Sequence, residues 1–353
     1  MSPSKKKAEK KAAKKSATRT DELKKLDKKA AKKAAKKAEK KKAEQKKVEK
    51  KAEKLTAAGF CVQPSQRAKV SVRDIDPRST PGFDGDKAAG QELLALQSER
   101  LSELQERLWA AHSGRVPGRR AGRSVLLVVQ GMDTSGKGGI MRHVVGAVDP
   151  QGVDITAFKA PTEEEKSHHF LWRVRPHQPE PGMIGVFDRS HYEDVLIHRV
   201  HGWADDEEIA KRYRSIKTFE KEMADDGVIV LKVMLHISKD KQWERLFERL
   251  QREDKHWKFA VSDLTERRRW DDYMDAYDAA IAATSTRTAP WHIIPADRKW
   301  YARLAVQNLL IQALEDIDPQ WPKARFDVEK AKQRMLDEPG HPLVDDATGA
   351  TEK

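Results

Sequence analysis

Val125-Leu126-Leu127-Val128-Val129-Gln130-Gly131-Met132-Asp133-Thr134-Ser135-Gly136-Lys137-Gly138-Gly139 is an apolar run that stops at a glycine, turns through small residues and meets a lysine. The short apolar run bounded by glycine predicts a buried strand over 124–129. Four glycines within residues 131–139 let backbone N–H groups converge on phosphate oxygens. A helix starting near Lys137 adds its unpaired N–H groups and its positive end, and Lys137 itself reaches phosphate as a point charge. The stretch therefore predicts a phosphate-binding loop, with Gly131, Thr134, Ser135, Gly136, Lys137, Gly138 and Gly139 as candidate phosphate contacts. It matches Gly-x-x-x-x-Gly-Lys-Ser/Thr except at its last position, where Gly138 stands in place of the metal-binding hydroxyl.

Outward from this loop the chain alternates strand and helix. Further strands are predicted at 155–158, 183–187, 228–235 and 291–294. Helices are predicted over 91–112, 140–148, 163–174, around 205–225, over 238–252 and 262–283, and from 300 to 317. Continuous apolar strands separated by helices argue for an α/β fold, a mainly parallel five-stranded sheet covered on both faces. Ligands in such sheets sit beyond the carboxyl ends of the strands, where the glycine loop and Asp188 both fall.

The net charge of +13 over 353 residues is unevenly placed. Residues 1–54 hold 24 Lys and Arg against 8 Asp and Glu, a net of +16. The remainder holds 45 against 48, a net of −3. The Lys/Ala-rich segment, with Lys-Lys-Ala-Ala-Lys-Lys-Ala-Glu-Lys at 32–40, has high helix propensity but no apolar stripe. It is expected as a disordered or transiently helical arm that either solubilises the chain or condenses on a polyanion. Residues 55–90 read as an extended lead-in, 91–320 as the folded body and 321–353 as a tail. The lone Cys61 excludes an intramolecular disulfide and a multi-cysteine zinc site, and fits a reducing, cytoplasmic setting. No apolar run approaches the roughly 20 residues of a membrane span, and the N-terminus lacks the apolar core of a secretory signal.

Two carboxylates are placed to serve the loop. Asp133 lies inside it and Asp188 ends the strand of Phe187-Asp188-Arg189-Ser190-His191-Tyr192. Together they can hold Mg²⁺ through hard oxygen ligands, although Asp133 can also cap the loop by accepting backbone N–H bonds. Arg189 can clamp phosphate oxygens in the transition state. A second basic cluster, Arg245, Arg249, Arg252, Lys255 and Lys258, marks a lid near 245–262 closing over a chain of phosphates. Interleaved Glu244, Glu248, Glu253 and Asp254 leave a salt-bridged surface helix as the alternative. Lys159, Arg173 and Arg298 are candidate nucleotide contacts. His168-His169 has poor ligand spacing for a metal. His191, Tyr192 and Glu193 either support Asp188 or simply pack.

These stretches, with Leu235-His236-Ile237-Ser238, Lys255-His256-Trp257-Lys258-Phe259, Trp270-Asp271-Asp272-Tyr273-Met274 and Ala289-Pro290-Trp291-His292-Ile293-Ile294-Pro295-Ala296-Asp297, resemble the polyphosphate kinase 2 family across about residues 85–320. The resemblance implies a thymidylate-kinase-like phosphate-loop kinase fold with a helical lid, dependence on Mg²⁺, and reversible transfer between inorganic polyphosphate and a nucleotide. ADP or GDP, and AMP, are the acceptors it suggests. It implies that Asp133 positions the accepting phosphate and metal, that Lys137 binds phosphate, that Asp188 is a metal-site acid, and that Arg189 and the lid cations contact phosphates. Family sequences often carry Asn in place of Asp188. A homo-oligomer is expected from the apolar helix faces. The rival readings are an ATP-dependent nucleotide or nucleoside kinase on the same scaffold and a nucleic-acid-binding protein acting through the basic arm.

Overall fold

Seven consecutive buried residues, Ser124–Gln130, form the strand around which the sheet is built. The computed structural model describes residues 60–67, 69–112 and 122–338, with Leu55 and a few positions between 28 and 39. Most of the expected arm and the end of the expected tail lie outside the described residues. The strands are β1 (Cys61–Val62), β2 (Ser124–Gln130), β3 (Val153–Ala157), β4 (Ile184–Asp188), β5 (Val228–His236) and β6 (Trp291–Pro295). They lie in the order β1-β6-β5-β2-β4-β3. The five expected strands run parallel to one another. Each fully buried Val or Leu contributes about 1.5–3 kcal/mol, so the run Val125 to Val129 anchors β2 in the core.

The sixth strand, β1, comes from the lead-in. It pairs antiparallel with β6, Cys61 opposite His292 and Val62 opposite Trp291. The lead-in is tied down further on, where Asp297 N–H donates to Pro77 O at 3.1 Å and His236 Nε2 lies 3.1 Å from Ile75 O.

The helices are α1 (Lys87–His112), α2 (Lys137–His143), α3 (Glu163–Ser167), α4 (Glu193–Val200), α5 (Asp206–Asp225), α6 (Lys239–Gln251), α7 (Ser262–Arg268), α8 (Trp270–Thr284), α9 (Lys299–Ile317) and α10 (Val328–Asp337). On one face of the sheet α9 packs against α1, α2 and strands β2, β5 and β6. On the other, α4, α5 and α8 pack together and α5 meets β5. α1 buries Leu93, Leu101, Leu104 and Leu108, and its buried Gln97 donates to Asn308 Oδ1 of α9 at 3.1 Å.

Several expected helices are shorter. α2 ends at His143 and a 3-10 turn, Val145–Ala147, follows, because Val144, Val145 and Gly146 are poor helix formers. α3 is started by a capping box, with Thr162 Oγ1 accepting from Glu165 N–H and the Glu165 carboxylate accepting from Thr162 N–H, but His168 is already extended. Arg269 interrupts the helix expected over 262–283. Between α6 and α7 the segment Glu253–Lys258 is a 3-10 helix. Among the described residues no helix is long and apolar enough to cross a membrane.

Candidate active site

The glycine loop leaves the end of β2 through Gly131, whose φ of +148° suits only glycine. A Cβ there would lie 2.7 Å from both Leu235 O and Ser135 Oγ. Thr134 takes a left-handed φ of +65° and Gly136 a φ of +121° before α2 begins at Lys137. Lys137 Nζ donates to Gly131 O at 2.6 Å and to Met132 O at 3.4 Å, so the ammonium lies in the mouth of the loop. Burial lowers its pKa, and Asp133 opposes that. The hydroxyls of Thr134 and Ser135 are buried there without a hydrogen-bond partner. A Cβ at Gly138 would meet nothing within 4 Å, so space remains at the position of the missing hydroxyl.

α6 braces the loop from outside. Arg245 Nη1 donates to Thr134 O at 2.8 Å and Ser135 O at 3.1 Å, and Nη2 to Ala296 O at 2.8 Å and Asp297 O at 2.9 Å. Gln242 Nε2 donates to Asp133 O at 3.2 Å. Arg245, expected as a phosphate ligand, also lines the cavity over the loop. The residue is only 6% exposed and both of its terminal nitrogens are committed to carbonyls. These bonds join the loop to the end of β6.

Asp188 is the last residue of β4 and sits level with Val129 of β2. Arg189 follows in the left-handed region at φ +64°, its N–H donating to Val129 O at 3.2 Å. Its Nη2 lies 3.5 Å from Asp133 Oδ1. Burial works against its charge, yet Glu193, Asp133 and Asp188 together raise its pKa. Glu193, at the start of α4, is a third carboxylate in this group. Burial raises its pKa, while Arg189 and Lys137 pull the other way. The Tyr277 phenol of α8 is raised by burial, then by Glu193 and Asp133.

A cavity of about 560 Å³ opens over the loop. It gathers Asp133, Thr134, Ser135, Gly136, Lys137, Gly138 and Gly139, then Lys159, Asp188 and Arg189, and from the lid Arg249, Lys255 and Lys258. Arg142, Arg245, Glu248, Lys299 and Arg303 also line it. From sequence, Arg298 or Lys299 is open to substrate contact or to a surface role, while Arg142 and Arg303 were missed. The available signal was helical spacing: Arg142 follows the loop along α2, and Arg303 stands four residues after Lys299. Burial lowers the pKa of Lys299 and of Arg303, and the neighbouring cations add to it.

Three expected contacts lie elsewhere. Arg252 turns to Asp254 at 2.9 and 3.0 Å and to Glu248 at 3.4 Å, outside the cavity wall. Arg173 is buried against Phe158, donates to Lys159 O at 2.9 Å and faces Asp194 at 3.7 Å, so it holds the segment bearing Lys159 rather than reaching a ligand. Arg298 lines a neighbouring cavity of about 480 Å³ with Lys87 and Lys241. His168 stacks on Trp172 with ring centroids 4.3 Å apart. Among the described residues no cluster of three or more His, Cys, Asp or Glu has metal-binding geometry.

The family model of polyphosphate kinase 2 matches residues 86–322. An AMP/ADP-polyphosphate phosphotransferase of Meiothermus ruber is 44% identical over 269 residues, covering 76% of this chain and 97% of that protein. An ADP-polyphosphate phosphotransferase of Rhodopseudomonas palustris is 39% identical over 276 residues, covering 74% of this chain and 92% of that protein. The crystal structure of polyphosphate kinase 2 from Arthrobacter aurescens TC1 superimposes with a TM-score of 0.73 at 54% identity, covering 78% of this chain and 97% of that one.

Proposed function

The chain belongs to the polyphosphate kinase 2 family, and from that premise we propose that its cavity carries reversible transfer of the terminal phosphoryl group of inorganic polyphosphate to ADP or GDP, and to AMP. The observation that carries this reading is the cavity wall. Lys137, Lys159, Arg142, Arg189, Arg249, Lys255, Lys258, Lys299 and Arg303 converge on one space, although the chain beyond residue 54 is net negative. Such a concentration of cations suits a site that must hold two polyanions against their mutual repulsion.

The donor set fits a magnesium ion. Asp133 and Asp188 line the same cavity, and the unpartnered Thr134 and Ser135 hydroxyls stand at the loop. Mg²⁺ is commonly held by one or two carboxylates, with phosphates and water completing its shell. Asp133 and Asp188 would hold it, and it would supply charge neutralisation between donor and acceptor.

The protein's own groups do the rest. Loop N–H groups and Lys137 hold the phosphoryl group being transferred. An ionised phosphate oxygen of the nucleotide attacks the terminal phosphorus of the polymer. The bond from that phosphorus to its bridging oxygen breaks, and the shortened polymer leaves as an anion. The attacking oxygen is already ionised at neutral pH, so no strong base is required, and Asp133 serves to position it. Arg189 balances charge on the phosphoryl oxygens as the bond changes. Arg249, Lys255 and Lys258 bring the lid over the phosphates and keep water out.

The test is a nucleotide assay with medium-chain polyphosphate and Mg²⁺, offering AMP, ADP, GMP and GDP separately. Growth of the next higher nucleotide at the expense of polymer supports the reading. Transfer only from ATP would replace it with an ATP-dependent nucleotide kinase.

A further inference from the structure

A charged cluster lies in the core, away from the cavity, and the phosphoryl-transfer scheme leaves it unused. Lys232, in the middle of β5, is fully buried, as are Glu220 of α5 and Tyr192. Lys232 Nζ reaches Glu220 Oε2 at 2.7 Å, Tyr192 OH at 2.9 Å and Thr284 O at 2.9 Å, so all three ammonium protons have acceptors. Tyr192 OH donates to Glu220 Oε1 at 2.7 Å and lies 3.0 Å from Thr284 Oγ1. Trp291 Nε1 of β6 donates to the same Thr284 hydroxyl at 2.9 Å, and the Trp291 ring meets Tyr192 edge-on at 4.6 Å. His191 Nε2 stands 3.4 Å from Glu220 Oε1.

A lysine in the centre of a parallel sheet is a costly choice. Replacing a buried ion pair with apolar side chains is often neutral or stabilising. What the pair provides here is direction, because the Lys232 ammonium donates to the phenol oxygen, the Glu220 carboxylate accepts its proton and Thr284 Oγ1 stands 3.0 Å away. Tyr192 closes the turn that begins at Asp188. Within that turn Arg189 is left-handed, and Ser190 Oγ accepts from Tyr192 N–H at 3.1 Å and lies 3.0 Å from the side-chain amide of Gln130. Thr284 is the last residue of α8, the helix that descends from the lid and places Tyr277 beside the loop. The phenol thus stands where the turn bearing Arg189 meets the foot of α8.

We propose that Tyr192 is a positioning residue for phosphoryl transfer, acting through the Lys232–Glu220 pair and Thr284 to hold the turn that aims Arg189. The proposal rests on the role assigned to Arg189. It predicts a selective loss. Without the hydroxyl the turn still forms, since its backbone bonds and the Tyr192 ring contacts remain, but the guanidinium is aimed less well when the transition state is reached.

The experiment compares Tyr192→Phe, Arg189→Lys and the double variant in the full chain, measuring polyphosphate-to-ADP transfer at 25 °C together with Tm. Tyr192→Phe is expected to lower kcat by about tenfold, a size typical of a small misplacement, with KM for both substrates within about twofold and Tm lowered by only a few degrees. Arg189→Lys is expected to lower kcat by at least about tenfold, and adding Tyr192→Phe to it to cost less than about threefold more, because both act on one group. Amide exchange across 189–192 should quicken in Tyr192→Phe. Multiplying effects, or a folded Tyr192→Phe with unchanged kcat, overturn the proposal. An inert Arg189→Lys instead removes the role given to Arg189. Thr284→Val, which deletes one hydroxyl, provides a second reading with the same expected pattern. If neither single-hydroxyl variant folds, the cluster holds the fold rather than the turn, which also overturns the proposal.

Discussion

Arg245 and Arg249 are one helical turn apart on α6, and they separate two kinds of cation. Arg245 is buried and joins the glycine loop to the end of β6 through four carbonyls. Arg249 donates to Lys258 O at 2.8 Å, lies 3.5 Å from Asp263 and faces the cavity. Arg245→Leu strands those carbonyls, and each unsatisfied buried group costs about 1–3 kcal/mol. We expect a loss of about 2–4 kcal/mol in urea unfolding, accompanied by a loss of transfer. Lys258 is exposed beside Trp257. Lys258→Ala should leave stability within about 0.5 kcal/mol and raise KM for polyphosphate several-fold; an unchanged KM would remove Lys258 from the site. At the loop, Asp133→Asn and Lys137→Ala are each expected to lower kcat by roughly 10²–10³-fold with circular dichroism and Tm preserved. Normal turnover by either folded variant would refute the role given to that residue.

Elements were legible where their signal is local. The apolar runs of β2, β4 and β5 and the loop after β2 need only neighbours in sequence. β1 was not legible, because two residues become a strand only by meeting the open edge of β6. The split at Arg269, whose Nη1 donates to Val200 O at 2.9 Å, and the early end of α3 carry no local signal in the sequence. The cations divide for the same reason. Side-chain type showed which residues can bind phosphate, but Arg173 and Arg252 are turned away by partners distant in sequence or by local carboxylates, and Arg245, in the cavity wall, is committed to four carbonyls. β6 carries a further consequence. Burial lowers the pKa of His292 to about 4 from the usual value near 6.5. The unfolded chain therefore binds a proton between these values that the folded protein refuses, so stability rises with pH across that window. The contribution is complete above about pH 6.5 and is lost as pH falls to about 4, with a size of about 3 kcal/mol. His236 is shifted down by burial as well and adds to the same slope. Tm measured from pH 8 to pH 4 should fall most steeply below pH 6.5, and His292→Asn should flatten that fall. An equal slope in the variant would show that His292 does not refuse its proton.

At the scale of the whole molecule the charge is divided between two tasks. The body is net −3 yet concentrates its cations on one cavity, whereas residues 1–54 carry +16 with no apolar face to fix them to the core. A cavity of about 560 Å³ accommodates only the reacting end of a long polymer, so distal phosphates must lie outside it. A cationic segment attached to the same chain can hold those distal units and raise the local concentration of the polymer without touching the reacting phosphorus. Deleting residues 1–54 is therefore expected to raise KM for long polyphosphate several-fold, to leave KM for short chains nearly unchanged, and to leave kcat unchanged for both. The origin of the difference can be tested with salt. The screening length is about 10 Å at 0.1 M and about 3 Å at 1 M, so the long-chain advantage of the full chain should shrink towards nothing at high salt. Equal effects of the deletion on long and short polymers, or an advantage that survives 1 M salt, would show that the arm does not hold the substrate.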